Sequence, residues 1–211
     1  IILGLSMVVP ILVQLFYKEL DSGFISSSIV SIIFGILFLL SNLDHQKSLN
    51  LTQAFLLTAL SWLSIALFGS LPFIFSDISL NFTDAFFESM SGITTTGSTI
   101  ITNLNETPKG ILIWRAMLQW LGGIGIIIMA ITLMPIMNIG GMQLFMISTS
   151  NTPEKILPKS KEVSVRLILI YLTLTILCAF FYKIFGMNFF DSFVHSMTTL
   201  ATGGFSNYNE S

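Results

Sequence analysis

Asn81-Phe-Thr-Asp84-Ala-Phe86-Phe-Glu88-Ser89-Met90-Ser-Gly-Ile93-Thr94-Thr95-Thr96-Gly97-Ser98 returns, 107 residues later, as Asn188-Phe-Phe-Asp191-Ser-Phe193-Val-His195-Ser196-Met197-Thr-Thr-Leu200-Ala201-Thr202-Gly203-Gly204-Phe205. The shift that lays Asp84 on Asp191 also lays Asn81 on Asn188, Phe82 on Phe189, Phe86 on Phe193, Ser89 on Ser196, Met90 on Met197, Thr95 on Thr202 and Gly97 on Gly204, with no gap. Glu88 against His195 and Thr96 against Gly203 are substitutions inside that frame. Repetition of this kind means that one structural unit is built twice. The first copy reads as a short helix from about Thr83 to Ile93, with Asn81 as its cap and acids in its first turn. The helix then gives way to a Thr/Gly stretch.

The surroundings of both copies are those of a membrane protein. Of 211 residues 53% are hydrophobic and 9% charged, with mean hydropathy +0.85, where a soluble domain carries about 25% charged residues. Nothing ionisable occurs from Ile1 to Tyr17, Ser22 to Leu43, Ser48 to Ser76 or Ala116 to Ser150, and a fifth apolar run, Leu167 to Tyr182, lies between Arg166 and Lys183. A spanning helix needs roughly 20 apolar residues, so five spanning helices are expected. The first run has neither the basic start nor the small-residue cleavage site of a signal peptide, and a membrane helix tolerates Pro10. Each repeated segment follows an apolar run and is too short and polar to cross the bilayer itself. Non-helical backbone at that depth is allowed only where protein buries it or where it lines a water-filled cavity.

The expected fold is therefore all-α and integral to the membrane: a polytopic helix bundle with repeated helix–pore loop–helix units and re-entrant pore helices. Residues 1–47 supply two N-terminal helices, 48–150 the first unit, and 151–211 the start of a second. The absence of an initiator Met and the ending at Asn209-Glu210-Ser211 suggest a longer native chain.

The Thr/Gly loops suit a desolvated monovalent cation. Rings of backbone carbonyls can replace its hydration shell without introducing fixed charge. Glycine reaches backbone angles that turn a carbonyl toward an axis, threonine adds a hydroxyl, and the preceding short helix aims its partially negative end at the site. The order of two extra helices followed by repeated units, with Thr94-Thr95-Thr96-Gly97 in one loop and Ala201-Thr202-Gly203-Gly204 in the other, resembles the Trk/Ktr/HKT superfamily of potassium transporters. The extra N-terminal pair is similar to its TrkH branch.

That resemblance implies four units around one potassium pathway, of which this chain supplies two filter strands: Thr94-Thr95-Thr96-Gly97-Ser98 and Ala201-Thr202-Gly203-Gly204-Phe205. Potassium, the transported ion, would meet the carbonyls of Thr95, Thr96, Gly97, Thr202, Gly203 and Gly204, and no organic cofactor is expected in this chain. Gly203 departs from the pattern of the first loop. The family also implies a homodimer in the cell inner membrane and a cytosolic nucleotide-binding regulatory subunit.

The basic segment between the fourth and fifth runs, with Lys155, Lys159, Lys161 and Arg166, should be cytoplasmic. It is where such a partner would dock, although an ordinary positive-inside loop reads the same way. Counting back, the N-terminus and the Asp44-to-Lys47 loop fall inside and the segment from Asp77 to Arg115 outside. Basic residues divide five inside (Lys47, Lys155, Lys159, Lys161, Arg166) and four outside (Lys18, Lys109, Arg115, Lys183). Asp77, Asp84, Glu88, Glu106, Asp191 and Glu210 all fall outside, as an acidic vestibule for cations.

Arg115 is placed to snorkel to the outer interface, and Trp114, Trp120, Tyr171 and Tyr182 read as interfacial anchors or packing. Gly122-Gly123-Ile-Gly125 permits close helix approach, and Pro135 with Gly140-Gly141 marks a helix exit. The net charge of -2 offers no basic surface to nucleic acid. Cys178 has no partner for a disulfide within the chain, and no paired cysteines or His-Glu-x-x-His motif suggests zinc. Two alternatives stand beside transport: a non-transporting membrane scaffold, and an intramembrane enzyme recruiting Ser196, His195 and Asp191, which lie on one short helix.

Overall fold

The computed structural model describes residues 1–19, 21–41, 51–137 and 156–210, and among them every regular element is a helix. Helices α1 (Ile2–Ser6), α2 (Val8–Tyr17) and α3 (Gly23–Leu40) precede the first unit. That unit comprises α4 (Leu51–Gly69), α5 (Leu71–Phe75), the pore helix α6 (Phe82–Ile93) and the long α7 (Lys109–Met137). The second unit begins with α8 (Ile156–Ile184) and the pore helix α9 (Phe189–Leu200).

Among the described residues four stretches are long and apolar enough to cross a membrane: Gly23–Leu40, Thr52–Phe75, Lys109–Ala130 and Glu162–Ile184. The first expected span is shorter, an apolar stretch over Ile2–Tyr17 broken into α1 and α2 at Met7. Pro10 explains the break: it has no N–H for the Ser6 carbonyl four residues back, and its ring crowds that carbonyl.

Helix α3 shows how the bundle is solved for lipid. Its buried face is Gly23, Phe24, Ser27, Ser28 and Ser31, while Ile25, Ile29, Ile33, Phe34 and Leu37 are exposed. Without water to drive apolar surfaces together, helices associate through small residues and hydrogen bonds. Ser28 Oγ accordingly donates to the Gly4 carbonyl of α1 at 2.8 Å, and Ser27 Oγ to Gly23 O within α3 at 2.7 Å.

The loops that alternation places on one side do meet. Glu19 accepts from the N–H of Lys109 at 2.7 Å, closing the start of α7, and Asp21 accepts from Asp77 N–H at 3.1 Å. Lys109 Nζ lies 5.0 Å from the Phe190 ring centroid at the start of the second pore helix.

Two boundaries differ from the sequence reading. Helix α7 continues through Pro135 to Met137. Helix α8 begins at Ile156, so Lys159, Lys161 and the exposed Arg166 belong to its first turns and not to a loop. A helix of 29 residues is about 43 Å long, more than the roughly 30 Å hydrocarbon core, so its basic end extends past the apolar slab. Lys155, Gly140-Gly141 and the Asp44-to-Lys47 loop lie outside the described residues.

Candidate functional site

Both pore helices start in one way. Asn81 Oδ1 accepts from Asp84 N–H at 2.9 Å, and Asn188 Oδ1 from Asp191 N–H at 2.8 Å. Each Asn amide also donates to the carboxylate of that same Asp. The cap satisfies a backbone donor that the helix cannot satisfy internally, and fixes where it enters.

The loops after them share one backbone. Thr94 N and Ala201 N donate to Met90 O and Met197 O at 3.0 and 3.1 Å. Thr95 N and Thr202 N reach Gly92 O and Thr199 O at 2.9 and 3.0 Å, and Thr96 N and Gly203 N reach Ser91 O and Thr198 O, both at 2.9 Å. Positive φ recurs at the same two places, at Thr95 (57°) and Gly97 (81°) and at Thr202 (54°) and Gly204 (74°). A β-branched residue at positive φ is a genuine outlier, and a structure holds such strain where function requires the conformation. The residues between, Thr96 and Gly203, are not of that hand. The N–H groups of Thr94, Thr95, Thr96 and Gly97, and of Ala201, Thr202 and Gly203, are thus spent on the last turn of their own pore helix. Thr94, Thr96, Ser98, Thr202 and Gly204 stay exposed.

Helix α7 is the back wall of both loops. An added Cβ on Gly122 would stand 1.9 Å from the Ile93 carbonyl, at the end of α6. On Gly123 it would stand 3.2 Å from Ala201 Cα, just past the end of α9. The glycine step is therefore a close approach, as its sequence suggests, and it receives the carbonyl ends of both pore helices. The strands also touch each other: a Cβ on Gly97 would be 2.0 Å from Gly203 O.

The hydroxyls brace. Thr94 Oγ1 donates to Met90 O at 2.7 Å and lies 2.9 Å from Thr96 Oγ1. Ser91 Oγ donates to Ser98 O at 2.6 Å, tying the end of the first strand to its pore helix. Thr202 Oγ1 donates to Ala201 O at 2.7 Å.

Two supports lay outside the sequence reading. Arg115, expected at the interface, is 1% exposed. Its Nε donates to Glu88 Oε1 at 2.7 Å, its Nη1 to Ser206 O at 3.0 Å, and its guanidinium covers the Phe205 ring at 4.2 Å. Glu88 also accepts from Thr99 Oγ1 at 2.8 and 3.0 Å and from Ile100 N–H at 3.0 Å. The pair joins the exit of the first strand to the exit of the second. Gln119, fully buried, donates from Nε2 to Gly203 O at 2.9 Å and accepts at Oε1 from Phe205 N–H at 3.2 Å. The Gly203 carbonyl thus has an amide partner, and Phe205 is packed behind the strand, 3% exposed.

In the second unit His195 replaces Glu88, and Asp191 does the anchoring. It accepts from Asn207 Nδ2 at 2.6 Å and from Tyr208 OH at 2.6 Å. Ser196 Oγ donates to Phe193 O at 2.7 Å, so Asp191 and Ser196 have structural partners and no Ser–His–Asp relay is assembled among these groups.

The aromatic residues pack between helices. Trp114 is fully buried and donates to Gly69 O at 3.0 Å. That carbonyl is free because the chain breaks at Ser70, where Phe73 N–H turns to Ser70 O. Trp120 Nε1 donates to Thr175 Oγ1 at 3.0 Å, Tyr171 OH to Trp120 O at 3.2 Å, and Tyr182 OH lies 2.9 Å from Thr199 Oγ1.

Comparison with known proteins places this geometry. The family described as "TrkH: Cation transport protein" matches residues 21–211. The chain is 39% identical over 212 residues to the Trk system potassium uptake protein TrkI of Halomonas elongata, covering 100% of this chain and 43% of that one. It is 40% identical over 210 residues to TrkH of Escherichia coli K12, covering 98% and 44%. The crystal structure of the potassium transporter TrkH from Vibrio parahaemolyticus superimposes with TM-score 0.86 at 38% identity, over 99% of this chain and 42% of that one. The chain therefore spans less than half the length of these relatives.

Proposed function

The chain belongs to the TrkH cation transport family, and on that premise we propose that it supplies two of four filter strands in a potassium-translocating pore. The carrying observation is the doubled loop backbone, with positive φ at Thr95, Gly97, Thr202 and Gly204 and the loop N–H groups turned back into the pore helices. Donors on one side leave carbonyls for the other, which is the arrangement a dehydrated cation needs. The carbonyls of Thr95, Thr96, Gly97, Thr202 and Gly204 are the ion ligands in this reading, with Gly203 shared with Gln119. The names of the relatives, potassium uptake proteins, support potassium as the ion.

In the complete protein, two further strands close the ring, and the transporter is a homodimer in the cell inner membrane with its N-terminus cytoplasmic. The basic start of α8, with Lys159, Lys161 and Arg166, together with Lys155, faces the cytoplasm and docks a nucleotide-binding regulatory subunit. The test of the pore is thermal unfolding of the purified full-length parent in potassium, rubidium, sodium and lithium at equal ionic strength. A ligand that binds only the folded state raises the midpoint by mass action. Stabilisation by potassium and rubidium but not lithium is expected; equal midpoints in all four salts would sink the proposal.

A further inference from the structure

Gln119 belongs to the first unit, yet both polar atoms of its side chain serve the second strand. Its amide holds both Gly203 O and Phe205 N–H, two residues apart, at full burial. Gly203 makes this possible: a Cβ there would stand 2.3 Å from Gln119 Cδ. The substitution of Gly203 for the Thr96 of the first loop is thus the space that Gln119 occupies. The Gly203 carbonyl also faces Gly97, so it is held in the seam between the strands with an N–H donor against it.

We propose that Gln119 is a positioning residue that sets ion preference, by tethering the Gly203 carbonyl so that this level of the filter cannot contract around an ion smaller than potassium. The proposal rests on the reading of these loops as a potassium filter. An oxygen shared with an amide N–H is a weaker ligand than a free one, and an oxygen fixed by that N–H cannot follow a sodium ion inward. Phe205 N–H, held by the same side chain, prevents the strand from swinging as a unit.

The test uses the full-length parent and two variants of similar volume. Gln119→Met removes both hydrogen bonds. Gln119→Glu, buried and therefore favoured in its neutral form, restores both, its O–H donating to Gly203 O and its C=O accepting from Phe205 N–H. For each protein the potassium and sodium concentrations giving half-maximal thermal stabilisation are measured over a choline background, and the midpoint in choline alone reports packing. The expected result is a sodium-to-potassium ratio at least tenfold lower in the Met variant, chiefly through tighter sodium, and within threefold of the parent in the Glu variant. Equal ratios in the two variants, both unchanged or both lowered, overturn the proposal. Gln119→Leu replaces the Met variant if that one does not fold, and failure of all three to fold also overturns it, because Gln119 would then be a folding residue. A parent stabilised by no cation would instead refute the filter reading itself.

Discussion

Removal of Arg115 is the sharpest perturbation of the wall behind the strands. Its guanidinium is 1% exposed and Glu88 is 0% exposed, joined at 2.7 Å. After Arg115→Met, the Glu88 carboxylate keeps only neutral donors, Thr99 Oγ1 and Ile100 N–H. Losing one partner of a buried pair costs about 3–5 kcal/mol, because the other charge is left uncompensated out of water. For a full-length parent more than twice the length of this chain the slope is about 1 °C per kcal/mol, a drop of about 3–5 °C in the unfolding midpoint. Glu88→Leu combined with Arg115→Met removes both charges together and should recover most of the loss, since an apolar pair of similar volume is often as stable as the ion pair. The double variant still loses the tethers to Thr99, Ile100 and Ser206, so its stabilisation by potassium should remain weak. Thermal unfolding of the full-length parent and the two variants, with and without potassium, measures both effects. A fall of less than 2 °C for Arg115→Met, or a double variant no more stable than the single one, would refute the reasoning.

Other substitutions test individual contacts. Gly97→Ala drives a methyl to 2.0 Å from a backbone carbonyl and should abolish both folded yield and uptake. Gly204→Ala meets nothing within 4 Å and should cost only the left-handed strain of about 1–2 kcal/mol, leaving a monodisperse protein on size-exclusion chromatography. Gly203→Ala, blocked by Gln119 Cδ at 2.3 Å, should fold only when combined with Gln119→Ala, by the same measurement. Trp114→Phe strands the Gly69 carbonyl and should lower stability by about 1–3 kcal/mol, read from denaturant unfolding in detergent.

The repeat made the pore loops legible because they repeat as backbone as well as sequence. Asn81 and Asn188 cap alike, and Thr95, Gly97, Thr202 and Gly204 take the same hand. Spans were legible from charge-free runs, except where Pro10 broke the first one. Arg115 misled because an arginine near a helix start looks the same to a composition argument whether it snorkels or is buried. Its partner Glu88 is 27 residues away, and that spacing carries no local signal. Gln119 had none at all, since an amide in an apolar helix becomes informative only when the strand it serves is placed beside it. The one available hint was Gly203, a glycine where the repeat called for threonine.

That hint points to a general division in this fold. In the pore proposed above, a residue that shapes the loop must recur in every unit, because each strand would face the same ion. A residue that supports the loop from behind need not, because each strand has a different neighbour. The supports do differ: Glu88 with Arg115 anchors the end of the first strand, Asp191 with Asn207 and Tyr208 the end of the second. Where the repeat fails, Glu88 against His195 and Thr96 against Gly203, Glu88 pairs with Arg115 and Gly203 leaves room for Gln119. At such positions two loops of the same backbone shape can be held with different stiffness, and in the proposed filter repeated strands can acquire an ion preference that no single strand encodes.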